Sequence, residues 1–513
     1  MSANPETLSA HAPAPRAHAV AAGLGTGATY LILFLVGAAL SIAQFVMIRD
    51  FVTILYGEEV VIVMVTASFF LGLSAGYLFA NRLSLKAFRY LFIASIFIHL
   101  TFPFSYRWIA AWLAWSDAGG VAYLSLLFIY ALVFNTMFAT FLPRLVHFDA
   151  DERLTPLARL QRFYGLELAG FITGFVIIIL SWNRPLVYLL APYWVIIGLV
   201  FFFVVRNKFL IVSYVALATC AVMFLAVLDR QSTALLYMFK HGIDLPKVLY
   251  SVNSPYQRVD VIEDAGGTRY LYLDGLENLN STDLAALNYF IAEVPAVLIK
   301  PEKVLLIGNG TLSSVRRVYP HSGAVTSVEL DGGVLEAGRR HFTSPESLAG
   351  FDRWRLFVDD GKHFLRDHNE RYDLIIVDVP SPLTIQEAYL HSKEFYALCR
   401  DHLTERGVLS VQLSGPLELN DRTPARVAAA LRTVFPEVIA LDSEEADRGF
   451  AYASRKLPFT EAALREQVKD DGQVNIIAPE QIDAYLTRAV PLSVNTMDLV
   501  LRRGWERFLR RYF

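Results

Sequence analysis

The stretch Lys303-Val304-Leu305-Leu306-Ile307-Gly308-Asn309-Gly310 decides how the C-terminal half of this chain is read. Four apolar residues make a short β run that stops at two glycines flanking an asparagine. Glycines at that point let backbone N–H groups approach a ligand at the N-terminus of the following helix. Downstream, further β runs at Val325–Leu330, Arg355–Val358, Leu374–Val377 and Val408–Leu413 alternate with helices near 312–319, 333–342, 361–367, 391–403 and 423–433. Five strands separated by helices predict a parallel, doubly wound α/β sheet. Upstream, residues 246–275 alternate and turn at Gly266-Gly267, which predicts a hairpin of Arg258–Glu263 and Arg269–Leu273, followed by a helix over 283–298.

Sheets of this kind bind ligands at the carboxyl ends of their strands. Strand one ends in Gly308 and Gly310. Strand two ends in Glu329, 21 residues after Gly308, where a carboxylate can accept both ribose hydroxyls. Strand three leads to Asp359-Asp360-Gly361 and strand four ends in Asp378. These sites at successive strand ends point to a nucleoside. The missing third glycine of a dinucleotide fingerprint argues against NAD.

The whole chain has 513 residues, of which 54% are hydrophobic and 19% charged. Its mean hydropathy is +0.40. It is too apolar for a wholly soluble protein and too charged for a wholly membrane one. Two cysteines, Cys220 and Cys399, exclude a disulfide scaffold and a Cys-rich zinc site, and no metal site is expected. The first 228 residues carry 13 Lys and Arg against 9 Asp and Glu, so the remainder is acidic and nucleic acid is not an expected partner.

The N-terminal half explains the hydropathy. After an Ala/Pro-rich lead-in over 1–24, apolar runs lie near 29–48, 60–80, 88–115, 121–143, 163–182, 185–205 and 209–228. Each approaches or exceeds the ~20 residues of a membrane-spanning helix. The runs 18–48 and 88–115 are both longer than one span needs, and 88–115 contains Arg107, so one run is read as re-entrant or doubled without the sequence deciding which. Gln44 and Glu167 sit inside apolar runs, where polar groups are costly. Gly72 and Gly76 form a small-xxx-small pair expected at a helix contact. Basic residues cluster in the second, fourth and sixth loops: Arg82, Lys86 and Arg89; Arg144, Arg153, Arg159 and Arg162; Arg206 and Lys208. By the positive-inside rule these loops are cytoplasmic, and seven spans then leave the soluble half outside.

Ser254-Pro255-Tyr256-Gln257, Leu273-Asp274-Gly275, Val328-Glu329-Leu330-Asp331, Asp360-Gly361, Tyr372 to Asp378 and Ser392-Lys393-Glu394-Phe395-Tyr396 occur in this order over about 250–415. Together they resemble the spermidine synthase (polyamine aminopropyltransferase) family. The helical half resembles its membrane-fused, multi-pass members through Gln44, Arg49, Gly57, Gly72 and Gly76. The resemblance implies a class I S-adenosylmethionine-type Rossmann-like domain. It also implies aminopropyl transfer from decarboxylated S-adenosylmethionine to putrescine or a related amine. That nucleoside is a co-substrate, and no tightly bound cofactor is implied. Gln257, Glu329, Asp360 and Gly361 would surround the adenosyl group, with Gly308 and Gly310 beside it, and Asp378 would serve the reacting amine as base. An amine of pKa near 10 is protonated at neutral pH, and a carboxylate can hold the ammonium and take its proton.

The chain departs from the family on the amine side. The family's G-G-G-D-G-G becomes Gly308-Asn309-Gly310-Thr311-Leu312-Ser313, with Thr311 in place of the acid. D-E-x-x-Y-H-E becomes Asp283-Leu284-Ala285-Ala286-Leu287-Asn288-Tyr289. D-S-S-D-P becomes Asp378-Val379-Pro380-Ser381-Pro382, with Ser381 in place of the second acid. Asp283, Asn288, Thr311 and Ser381 are the expected amine-site residues. Two other readings stay open: a different S-adenosyl-dependent transferase such as a methyltransferase, and a non-catalytic nucleoside-binding sensor or transporter.

The expected organisation is a lead-in over 1–24, a transmembrane helical domain of about seven spans over 25–230, and a β/helix part over 231–300. The nucleoside-binding α/β domain follows over 301–455, and an extension over 456–513. That extension ends in a basic amphipathic helix built from Trp505, Phe508, Leu509 and Tyr512 opposite Arg502, Arg503, Arg507, Arg510 and Arg511. Such a helix can lie on an anionic leaflet. Expected partners are a small-molecule amine, a sulfonium nucleoside and the lipid bilayer, and a homo-oligomer is compatible with this reading. The expected location is the inner (cell) membrane. The tail and the cytosolic origin of S-adenosyl nucleosides put the soluble half in the cytoplasm, against the loop-charge count.

Overall fold

The computed structural model describes residues 26–55, 58–148, 155–205, 207–382, 384–468, 473–496 and 498. The lead-in, Gly57, Arg153, Arg206 and the basic tail lie outside the described residues.

The N-terminal half is a helical bundle: α1 (Thr26–Leu55), α2 (Glu58–Phe79), α3 (Leu85–Thr101), α4 (Phe104–Trp115), α5 (Gly120–Ala139), α6 (Phe141–Phe148), α7 (Pro156–Leu180), α8 (Val187–Val204) and α9 (Lys208–His241). Among the described residues, six helices have the length and apolar composition to cross a bilayer. The run expected over 88–115 is broken at Phe102–Pro103, where proline removes the N–H that a continuing helix needs. Its halves, α3 and α4, meet at 72° and count together as a seventh candidate. Small residues set the helix approaches. A methyl group on Gly72 would lie 2.9 Å from Asn135 Cβ, and one on Gly76 only 2.5 Å from Ala139 Cβ, so α2 and α5 touch along this pair. Gly37, Gly170 and Gly174 bring α1 and α7 equally close.

These packings fix the ends of the bundle. α1 and α7 run parallel, and Arg162 stacks over Tyr30 near the start of both. Arg144 of α6 donates to the Leu83 carbonyl, which joins the loop after α2 to the helix that follows α5. The described basic loop residues therefore gather at one end. The opposite end meets the second half: the Asn183 N–H donates to the Asn253 carbonyl (3.0 Å). α9 outruns its expected limit of 228 and continues to His241, because Ser232, Thr233, Leu236 and Tyr237 are buried at the junction. Gly242, at φ +70°, ends it, so the second half begins there and not at 231.

That half opens with an antiparallel sheet of β1 (Lys247–Asn253), β2 (Arg258–Glu263), β3 (Arg269–Leu273) and β4 (Leu276–Asn280). The expected hairpin is its centre. α10 (Leu284–Asn288), a π-turn and α11 (Val294–Ile299) lead into an α/β sheet of order β12-β10-β11-β9-β8-β5-β6-β7. The five expected strands are β5 (Lys303–Gly308), β6 (Ala324–Glu329), β7 (Trp354–Val358), β8 (Tyr372–Asp378) and β9 (Leu403–Gln412), all mutually parallel. Three antiparallel strands extend them: β10 (Glu437–Ser443), β11 (Arg448–Ser454) and β12 (Val474–Ile477). The last of these comes from the segment read as an extension. α12 (Ser313–Val318), α13 (Gly332–His341), α14 (Gly361–Asp367), α15 (Ile385–Leu390), α16 (Lys393–Asp401) and α17 (Thr423–Val434) connect the strands. The chain reverses between β5 and β8, so a crevice opens at their carboxyl ends.

Candidate active site

Gly308 closes β5 at φ +85°, and a side chain there would collide with the Asp378 carbonyl. Only glycine permits β5 and β8 to end this close together. Asn309 follows at φ +62°, and its N–H donates to the Asp378 carbonyl (3.0 Å). Its Nδ2 donates to Asp378 Oδ2 (2.7 Å) and to Ser314 Oγ (2.8 Å), and Ser314 Oγ donates to Asn288 Oδ1 (2.7 Å). A fixed polar chain therefore aims one face of the Asp378 carboxylate. Burial pushes its pKa up, while Asn309, Arg448 and Ser314 pull it part of the way back.

At the end of β6, Glu329 is 8% exposed and Oε1 accepts the Asp331 N–H (3.0 Å). Burial pushes its carboxyl up to about 7. Gly310 faces it: an added Cβ would stand 3.2 Å from Oε2 and would strike Val334. Asp331 caps α13 through the Gly333 N–H (2.8 Å) and accepts from Ser254 Oγ (2.7 Å) and Gln257 Nε2 (3.1 Å). The loop 254–257 is thereby pinned across the strand end. Asp360 caps α14 by accepting the Lys362 and His363 N–H groups. Gly361 lies against Ile307, where a Cβ would approach to 2.5 Å.

These groups line one cleft of about 1740 Å³, more than a single drug-sized ligand needs. Gln257, Gly308, Gly310, Thr311, Glu329, Asp360, Gly361, Asp378 and Ser381 all face it. Two expected amine-site residues do not. Asn288 is 3% exposed, and its Oδ1 is bonded to Ser314, so it acts behind Asp378. Asp283 is on the surface, where its carboxylate accepts from Asn280 Nδ2 (2.7 Å). A motif position fixed its placement in the reading, but the turn before α10 directs it outward. Thr311 is 2% exposed and bonded to Ser313 (2.7 Å).

The structure adds residues that the sequence did not single out. Gln412, ending β9, bonds the Val379 carbonyl. Arg448, opening β11, donates to Gln412 Oε1 (2.9 Å) and the Asn278 carbonyl (3.2 Å). The helical half also takes part. Val52 of α1 lines the cleft. Arg49 donates to the Tyr256 (2.9 Å) and Pro255 (3.2 Å) carbonyls, and Gly275 packs on Thr53. Next to this seam, Asp50 is buried between Arg107 (2.6 Å) and Arg258 (2.7 Å), and the Arg258 N–H donates to Asp274 (2.8 Å). Among the described residues no group of three or more His, Cys, Asp or Glu is arranged to hold a metal ion.

A buried acid at the end of β6, capped loops at neighbouring strand ends and a half-buried central carboxylate thus share one cleft at the carboxyl ends of a doubly wound α/β sheet. Residues 285–441 match the spermine/spermidine synthase domain. The polyamine aminopropyltransferase of Alkaliphilus metalliredigens is 34% identical over 194 residues, which are 37% of this chain and 68% of that protein. That of Clostridioides difficile is 31% identical over 228 residues, 42% of this chain and 80% of the relative. The Thermotoga neapolitana enzyme is 33% identical over 175 residues, 33% of this chain and 58% of its own length. The chain thus spans little more than half of the Thermotoga relatives. A crystal structure of spermidine synthase in complex with the transition-state analogue AdoDATO is 26% identical, covering 47% of this chain and 84% of that one, with a TM-score of 0.38. The chain belongs to the spermine/spermidine synthase family.

Proposed function

We propose that this chain is a membrane-bound aminopropyltransferase that moves the aminopropyl group of decarboxylated S-adenosylmethionine to an amine, putrescine or a relative of it. The observation that carries this reading is the pairing of a ribose-type acid, Glu329, with a second, half-buried carboxylate, Asp378, held in one orientation by Asn309 and open to the same cleft. In the step, the amine nitrogen bonds to the carbon beside the sulfonium and the carbon–sulfur bond breaks. The electron pair stays on sulfur, giving 5'-methylthioadenosine, and the amine proton passes to Asp378. Placing both reactants in one cleft supplies the orientation that the reaction needs. Incubating purified protein with decarboxylated S-adenosylmethionine and a panel of amines tests it. Absence of amine-dependent 5'-methylthioadenosine release would overturn it.

Membrane insertion rests on the six long apolar helices and the bent pair. The helix α4 supports it further. Trp108, Trp112 and Trp115 stand exposed on it beside the junction, as aromatic residues do at a bilayer interface. The side of the soluble half is inferred from the bundle. Arg82, Lys86, Arg89, Arg144, Arg159, Arg162 and Lys208 belong to the end away from it. The positive-inside rule then favours an extracytoplasmic soluble half, against the cytoplasmic expectation. The donor, made in the cytosol, would have to be supplied across the membrane.

A further inference from the structure

Six charged residues line the cleft outside the strand ends β5–β7 and their helices: Asp274, Glu277, Asp378, Glu387, Arg422 and Arg448. Most are occupied or peripheral. Asp274 accepts the Arg258 N–H, Glu277 accepts from Asn280, and Glu387 caps α15. Arg422 is exposed at the rim. Asp378 and Arg448 are the two that stand together on the β8–β9–β11 side of the cleft, away from the loops of β5, β6 and β7.

Arg448 is an unusual lining for a site meant for a dication. Its guanidinium has five N–H donors. Two are used, on neutral acceptors: Gln412 Oε1 and the Asn278 carbonyl. Among the described residues no carboxylate lies within ion-pair distance of it. A diamine bound to Asp378 would bring its second ammonium into a region with this fixed cation and with Thr311 and Ser381, which carry no charge. A carboxylate there would instead meet a planar fork of free donors, the geometry that arginine recognises best.

We propose that the acceptor is an amine that also bears a carboxylate, with Asp378 holding the amine and Arg448 binding the carboxylate. The inference rests on the transferase reading above. A donor that keeps its own carboxylate is the other possible source of this group. The sheet order favours the acceptor, since Arg448 on β11 lies on the β9 flank of Asp378 and the nucleoside loops of β5, β6 and β7 lie on the other.

The test uses the full chain in lipid nanodiscs saturated with 5'-methylthioadenosine. Calorimetry compares putrescine with ornithine, which is putrescine bearing a carboxylate. Wild type is expected to bind ornithine at least about tenfold more tightly. Arg448→Gln should weaken ornithine by roughly 10–100-fold, the loss of a charge-assisted bond pair, while the affinity for 5'-methylthioadenosine stays unchanged. Equal or tighter putrescine binding by wild type, or equal weakening of both amines in the variant, overturns the inference. So does an Arg448-dependent affinity for S-adenosylmethionine in place of ornithine. Turnover separates the two levels. Transfer to putrescine without any ornithine preference sinks this inference alone. Selective ornithine binding with no 5'-methylthioadenosine released from decarboxylated S-adenosylmethionine sinks the transferase reading beneath it, and the acceptor assignment with it.

Discussion

Glu329 should make nucleoside affinity and protein stability depend on pH in opposite senses. Burial pushes its carboxyl from the usual 4.5 up to about 7. A ribose diol donates two hydrogen bonds, which the ionised form accepts and the protonated form does not accept equally. Lowering the pH from 8 to 6 therefore takes the binding form from about nine-tenths to one-tenth, and affinity for 5'-methylthioadenosine should fall about tenfold. For the empty protein the sign reverses. A carboxyl with a raised folded-state pKa contributes stability that is complete below about pH 4.5 and is lost as pH rises through about 7. That loss amounts to about 3 kcal/mol for this nearly buried group. Glu329→Gln keeps the acceptor for the Asp331 N–H and removes the charge. At pH 8 it should melt higher than wild type without ligand, bind 5'-methylthioadenosine over a hundredfold more weakly, and show no pH dependence of binding between 6 and 8. Calorimetric titration and thermal melting in detergent read all three. A variant that melts lower than wild type at pH 8, or a wild-type affinity flat from pH 6 to 8, would refute the reasoning.

Asp378→Asn should lower kcat by about 10²–10⁴-fold while donor affinity stays unchanged, since asparagine preserves shape but accepts no amine proton. Stopped-assay release of 5'-methylthioadenosine measures it, and equal turnover would remove Asp378 from the chemistry. Asp50→Asn strips the shared carboxylate from Arg107 and Arg258 and should destabilise the protein by about 3–5 kcal/mol, visible as a lowered melting temperature. An unchanged melt would mean the two arginines find other partners. An alkaline phosphatase fused after Phe513 should be active if the soluble half is extracytoplasmic, and a fluorescent cytosolic reporter at the same place should be dark. The reverse pattern restores the cytoplasmic assignment.

The parallel core was legible because β5, β6, β7 and β8 are short β runs closed by a glycine or an acid. Lys303–Gly308 and Tyr372–Asp378 stop within a residue of where composition changes. The loops that follow these strands and line the cleft were legible for the same reason. The edge strands were not. Arg448–Ser454 mixes Gly449, Ala451 and Ala453 with only two aromatics, and it is a strand because β9 and β10 flank it on both sides. Without that strand Arg448 had no address, and no local pattern marked it. Asp283 and Asn288 failed for the converse reason. Their spacing followed a motif, but a surface turn and a hydrogen bond to Ser314 decide where the side chains point. The length of the runs 18–48 and 88–115 signalled an interrupted span without saying which; the structure keeps α1 whole and breaks 88–115, where Pro103 supplies the mechanism.

The seam between the halves bears on how the site is held. Arg258 holds three carboxylates at once: Asp50 of α1 through its guanidinium, Asp260 of its own strand (2.9 Å), and Asp274 of the cleft through its N–H. Arg107 ties Asp50 in turn to Asp229 of α9 (2.6 Å). At this seam Asp50, Arg107, Arg258 and Asp260 each have an opposite neighbour, and withdrawing one leaves another unpaired at a cost far above that of a surface pair. The helical half thus cannot slide against loops 254–257 and 273–275 without breaking buried ion pairs, and these loops carry Gln257 and Asp274 into the cleft. Val52 completes the wall from the same helix that supplies Arg49 and Asp50. The helical half is therefore part of the site's construction, since the walls of the cleft are set by where α1 ends.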